Sequence, residues 1–72
     1  MKLSQLLHKV DNEQLFIITE YNAPKPAKIL VRGKRQDIKK DNPYNSYHVR
    51  AISYYQAYML VQISKEGRGA QQ

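Results

Sequence analysis

The sequence has no cysteine, and this absence removes two means of bracing a small domain. Disulfides cannot form, and metal sites built from thiolates are excluded. The 72 residues allow one domain, which buries only about 60% of the surface that its unfolded chain exposes. Domains of this size without covalent staples often depend on a partner subunit. The lack of cysteine also fits a reducing compartment, and we expect a cytoplasmic location.

Long apolar runs and glycine are also scarce. The longest unbroken run of aliphatic and phenylalanine residues, Leu15 to Ile18, has four residues and is far too short to span a membrane. Polar residues interrupt the apolar positions of the first nine residues, so we expect neither a targeting segment nor membrane association. Only three glycines occur, which leaves little for a glycine-rich loop that cradles a phosphate.

Acidic residues are in the minority, and the basic excess has a definite location. The sequence has six acidic and twelve basic residues, which gives a net charge of +6. The segment from residue 25 to residue 40 holds only one acid, and the charges outside it balance. An anionic partner is therefore one prediction for this segment. Its basic residues, the candidate anion or nucleic-acid contacts, are Lys25, Lys28, Arg32, Lys34, Arg35, Lys39 and Lys40.

Apolar residues at helical spacing open the chain. Leu3, Leu6, Leu7 and Val10 follow an i, i+3, i+4, i+7 pattern, which places them on one face of a helix. Ser4 is the expected N-cap, because its hydroxyl can accept a hydrogen bond from a free N–H of the first turn. A helix of about two turns does not persist alone in water. We therefore expect it to pack on a sheet.

Two apolar runs after this helix predict a hairpin. Residues 15–19 are rich in β-branched and aromatic side chains, which suit a buried strand, and residues 27–32 form a second run. Pro24 and Pro26 stop regular pairing between the two runs, so a loop is expected there. An irregular stretch follows, and Asp41-Asn42-Pro43 within it is a turn signal.

Residues 47–64 permit two interpretations. As a helix, Ile52, Met59 and Ile63 would contribute to one apolar stripe. As two strands, the segment would place its β-branched residues and tyrosines on pleated surfaces, which these side chains favour. We predict the second arrangement, a hairpin that turns near residues 55–57, although that turn contains neither glycine nor asparagine.

The predicted architecture is an α+β domain over residues 1–65, with one short N-terminal helix packed on a small antiparallel sheet of about four strands. Residues 66–72 are predicted to form a flexible C-terminal tail. Three of the predicted strands contain unbroken apolar runs, which are typical of strands covered on both faces. One short helix covers only one face, so a second copy or a protein partner is the simplest cover for the other.

The pattern of apolar positions resembles small uncharacterised proteins encoded on phages and mobile elements of Gram-positive bacteria. The resemblance rests on Leu3-Ser4-x-Leu6-Leu7-x-x-Val10-Asp11, an isoleucine-rich strand, and a closing Ile52-Ser53 followed by Leu60-Val61-x-Ile63. It covers most of the chain and implies no function. The basic middle segment is not part of the pattern.

No catalytic or metal-binding constellation emerges from the sequence. His8 and His48 lack the three or four convergent ligands that a metal site needs. The nucleophile elbow, the phosphate loop and the dinucleotide-binding fingerprint are all missing from the sequence. We expect no enzymatic activity, no cofactor, no metal and no small-molecule substrate.

Tyrosines near the basic segment are the remaining candidates, because their rings can stack on bases or contribute to protein interfaces. We therefore expect a non-enzymatic interaction module that self-associates and binds a protein partner. The alternative is a nucleic-acid binder, weak and insensitive to sequence, that uses the basic segment at residues 25–40. The candidate interface or stacking residues are Tyr44, Tyr47, Tyr54, Tyr55 and Tyr58.

Overall fold

The structure is a computed structural model and describes residues 1–65, so the predicted tail at residues 66–72 lies outside the described residues. A short α-helix precedes two hairpins, and the hairpins are joined by a segment with two short 3₁₀-helices. In chain order the elements are α1 (Leu3–Leu7), β1 (Leu15–Glu20), β2 (Ile29–Lys34), η1 (Arg35–Asp37), η2 (Pro43–Ser46), β3 (His48–Tyr55) and β4 (Tyr58–Ser64).

The four strands form one sheet in the order β2-β1-β4-β3, which confirms the predicted α+β class with one helix and four strands. Both hairpins are antiparallel as predicted. The sheet as a whole is mixed, because β1 and β4 pair in parallel. This correction has a physical reason. The two strands with the most buried residues, β1 and β4, occupy the centre, where both of their edges are paired, and the segment that joins the hairpins brings β4 alongside β1 in the same direction.

Helix α1 covers one face of the sheet with its three leucines, all of which are buried. They pack with alternate residues of the central strands and with Ile38, which follows η1. The predicted N-cap at Ser4 is wrong, because Ser4 lies within the helix and Lys2 precedes its first residue. The helix begins at Leu3 since the Leu3 N–H donates to the Tyr47 carbonyl, with a distance of 2.8 Å between the two atoms.

Residues 48–64 form the predicted hairpin rather than the alternative helix. The chain reverses at Gln56 and Ala57, and Gln56 adopts a positive φ of 54°. On β4, Met59 and Val61 point into the core, whereas Tyr58 and Leu60 alternate to the opposite face. The same alternation operates on β1, so each central strand presents apolar side chains on both faces.

Candidate functional site

The face of the sheet opposite α1, here called the open face, is covered by none of the helical elements in residues 1–65. Helix η2 packs against α1, and η1 is tied to α1 through Arg35, so all three helical elements lie on one side. The open face is defined by residues that alternate away from the core. These residues are Leu15, Ile17, Thr19, Arg32, Lys34, Ser53, Tyr55, Tyr58, Leu60 and Gln62.

Strand register arranges these residues in rows that cross the sheet. One row runs from Arg32 through Ile17 and Leu60 to Ser53. Neighbouring strands lie about 4.8 Å apart, so a row of four residues spans roughly 14 Å. The centre of this row consists of half-buried apolar side chains, and its β2 end is a guanidinium.

The next row contains both cations and aromatic rings. It runs from Lys34 through Leu15 and Tyr58 to Tyr55. The Arg32 guanidinium of the first row lies over the Tyr58 ring, 5.7 Å from its centroid, and its Nη2 is 3.5 Å from the Tyr58 hydroxyl oxygen. An arginine over a tyrosine face gains a cation–π attraction, which fixes both side chains in place.

Lys34 stands at the corner of the open face and is partly neutralised. Its Nζ lies 3.0 Å from Glu13 Oε1. The hydrogen bond and the charge of Glu13 raise the pKa of Lys34 above its ordinary value of 10.5, with a further contribution from the charge of Asp37. Lys34 therefore stays charged at neutral pH, and the arginines carry more of the uncompensated charge on this face.

A second arginine–tyrosine pair lies at the far end of the open face. The Arg50 guanidinium is 4.5 Å from the centroid of the Tyr21 ring, and its Nη1 lies 3.3 Å from Ser64 Oγ. Beside it, Lys25, Gln62 and the acidic Glu20 contribute to a cleft of about 390 Å³. Basic side chains therefore border the open face at both ends.

The predicted basic segment is divided between the two faces, although Arg32 and Lys39 also line one cleft, together with two aspartates, beside β2. Arg32 and Lys34 lie on the open face, and Lys25 lies at its far end. Lys28 is exposed in the loop before β2. The other three residues of the set lie on the helix side, where they contribute to a separate cleft. They are Arg35, Lys39 and Lys40.

The five candidate tyrosines also divide between the two faces. Tyr55 and Tyr58 are on the open face, and Tyr55 is 61% exposed. Tyr54, which is 67% exposed, points to the helix side beyond the reach of α1. The other two are half-buried against the core, where their rings meet edge-to-face at 5.1 Å. These two, Tyr44 and Tyr47, therefore have a packing role.

Tyr21 and Arg50 lie at the site but were not among the residues predicted from the sequence. Residues 15, 17 and 19 face one side of the sheet, and Tyr21 continues their alternation. Its position on the open face could therefore have been predicted from the sequence. Arg50 lies at an irregularity in the pairing of β3 with β4, and only the structure places it beside Tyr21. Within residues 1–65, no group of three or more metal-ligating side chains comes together. In that same part of the chain, no helix has the length and apolarity needed to cross a membrane.

No family model, curated protein or solved structure matches the chain. The resemblance to small proteins of phages and mobile elements therefore stays a prediction.

Proposed function

We propose that this chain is a non-enzymatic binding module whose open face binds single-stranded nucleic acid. The observation that carries the proposal is the pair of arginine–tyrosine contacts at the two ends of an apolar floor. Arginines neutralise phosphates, and aromatic faces stack on bases without regard to base identity. Arg32 lies over Tyr58 and Arg50 lies over Tyr21, so these pairs supply the cations and present guanidiniums, on which bases also stack, in place of the covered ring faces. The exposed ring of Tyr55 extends the first pair across the sheet.

Single strands fit this surface better than a duplex. Stacking needs bases whose faces are free, which a single strand offers and a base-paired duplex does not. Helix α1 has five residues and buries its leucines against the sheet, so it is unsuited to reading a major groove. Binding is therefore weak and insensitive to sequence.

Charge argues against using the open face to pair with a second copy of the chain. Each copy would bring Arg32, Lys34 and Arg50 to the same contact, opposed by Glu13. Like charges brought together in an interface oppose association. An anionic partner gains from the same charges.

Fluorescence anisotropy with a labelled 12-nucleotide oligothymidine tests the proposal. On single strands the slope of log K against log salt is about −0.7 for each phosphate neutralised. Contacts from Lys25, Arg32, Lys34 and Arg50 therefore predict a slope of about −3. Arg32→Gln reduces that slope by about 0.7, whereas Lys9→Gln, which removes the same charge away from this face, leaves it unchanged. Absence of binding at 50 mM salt would refute the proposal.

Adjacent tyrosines on opposite faces provide a matched pair of variants. Tyr55 lies on the open face and Tyr54 on the helix side, and their exposed fractions are similar at 61% and 67%. Base stacking contributes about 1–3 kcal/mol, so Tyr55→Leu weakens binding by a factor of about 5 to 150. Tyr54→Leu leaves the affinity within about twofold. Equal effects of both changes would show that the open face is not the binding surface.

Self-association is the second candidate function, and a different surface favours it. Ile52 and Tyr54 lie on the helix side of the edge strand β3, where α1 leaves them 42% and 67% exposed. Met1 and Lys2 already pair with the start of this edge at His48 and Val49, so two β3 strands side by side would pair along the rest of the edge and cover these residues. Sedimentation across micromolar concentrations tests this candidate, and Ile52→Lys should abolish a dimer. An 8.4 kDa species at every concentration would refute it.

A further inference from the structure

The helix side of the molecule contains a cleft with a strongly basic lining. Its volume is about 370 Å³, and it lies between the end of α1 and the segment that joins β2 to β3. Arg35, Lys39, Lys40 and His8 contribute to its wall, and no acidic residue among residues 1–65 does. Buried Leu7 and Ile38 form its floor. Small-molecule sites typically occupy about 300–1,000 Å³, so the cleft has room for a small anion with an organic group attached.

Hydrogen bonds orient the Arg35 guanidinium of this cleft and hold the backbone of its two lysines. Arg35 Nε donates to the Leu7 carbonyl at 2.6 Å, and within residues 1–65 the other guanidinium nitrogens make no hydrogen bond. Asn45 Nδ2 donates to the carbonyls of Lys39 and Lys40, at 3.2 and 2.9 Å. The backbone that carries both lysines is therefore fixed beside an oriented guanidinium. A site arranged in advance loses less entropy when a ligand binds.

We propose that this cleft binds a phosphate monoester group. A guanidinium presents two parallel N–H donors that match phosphate oxygens, and lysines add point charges. A phosphate monoester carries about −1.5 to −2 charges at pH 7, more than a single internal phosphate of a nucleic-acid backbone. Arg35, Lys39 and Lys40 together supply enough positive charge to compensate it.

A phosphate monoester group can come from two sources, a free small phosphorylated molecule or the terminal phosphate of a nucleic-acid strand. The cleft lies on the helix side of the sheet, so this proposal does not rest on the open face, and either proposal can fail alone.

Nuclear magnetic resonance of ¹⁵N-labelled protein tests the site with inorganic phosphate, with chloride keeping the ionic strength constant. We expect saturable shifts of the Arg35 Nε–H, the Asn45 side-chain amide and the backbone around them. A 5′-phosphorylated oligonucleotide and its 5′-hydroxyl counterpart then distinguish the two sources. Equal affinity of the cleft for inorganic phosphate and for the phosphorylated strand indicates a free ligand. A phosphorylated strand that binds about tenfold or more tighter than both inorganic phosphate and the hydroxyl strand indicates a strand terminus. The proposal would be overturned if neither inorganic phosphate nor the phosphorylated oligonucleotide produced saturable shifts at the cleft.

Two double variants with the same change of net charge separate a site from general attraction. Lys39→Gln with Lys40→Gln removes two exposed side chains from the cleft wall and should weaken phosphate binding about tenfold or more. Lys28→Gln with Lys65→Gln removes two exposed charges away from the cleft and should change the affinity less than about twofold. Equal weakening by the two double variants would show that phosphate responds only to net charge. Spectra of the free proteins verify that both variants remain folded.

Discussion

Truncation of Leu3 tests whether α1 is an integral part of the core. Leu3 is 0% exposed, whereas Leu6 retains 6% exposure at the edge of the same cluster. A buried leucine replaced by alanine typically costs about 2–5 kcal/mol, and the cost rises when the surroundings cannot close the cavity. The Leu3 N–H is bonded to the Tyr47 carbonyl, so the helix cannot easily shift to fill the space. We therefore expect Leu3→Ala to cost about 3–5 kcal/mol, and Leu6→Ala to cost less.

These values are large for a chain of this size. At about 0.05–0.15 kcal/mol per residue, the free energy of unfolding is about 4–11 kcal/mol. With a urea dependence near 1 kcal/mol per molar, the loss at Leu3 lowers the midpoint by about 3–5 M or leaves the protein unfolded in water. The control is Ile29→Ala, because Ile29 is 46% exposed and should cost about 1 kcal/mol or less.

Urea unfolding followed by far-UV circular dichroism measures the three variants against the parent chain. The expected order of destabilisation is Leu3→Ala, then Leu6→Ala, then Ile29→Ala. If the midpoint of Leu3→Ala equals that of Ile29→Ala, α1 is not packed on the sheet and the described core is wrong.

Three further changes test individual backbone contacts by the same unfolding assay. Arg35→Met should lower the free energy of unfolding by about 1.5–3 kcal/mol, because the Leu7 carbonyl loses a charged donor at 2.6 Å, and no loss would show that this bond is irrelevant. Gln56→Gly should raise the free energy of unfolding by about 0.5–1 kcal/mol, because φ at this position is 54° and glycine adopts positive φ without a steric penalty. A decrease would contradict the turn geometry. Asn42→Ala should lower it by about 1 kcal/mol, because Asn42 Oδ1 accepts from the Tyr44 N–H at 2.8 Å; an unchanged midpoint would refute that role.

The secondary structure was largely readable from the sequence because each element carries its own local pattern. The spacing of Leu3, Leu6 and Leu7 predicted a buried helical face, and all three side chains are buried. The β-branched and aromatic composition of residues 47–64 predicted a hairpin, which formed even though Gln56 occupies a turn position that favours glycine. The helix start at Leu3 was not readable, because a backbone contact with a residue more than forty positions away determines it.

The candidate site was predictable by residue type but not by location. The excess of basic residues was visible in the sequence, yet Arg32 and Arg35 lie on opposite sides of the sheet. Tyr54 and Tyr55 point to opposite faces because strand side chains alternate, and only the register of β3 with β4 shows which ring joins Tyr58.

Composition and local periodicity by themselves determined a small α+β domain with two hairpins, a net charge of +6 and no disulfides. Tertiary structure decided how the hairpins meet. The parallel pairing of β1 with β4 places Ile17 beside Leu60, and it brings Arg32 on one hairpin to Tyr58 on the other. Such contacts depend on which strands become central. The central strands are decided by the total apolar surface that the whole sheet buries. The local sequence cannot specify the central strands, because the same two hairpins could pair through other edges without any change in their local patterns.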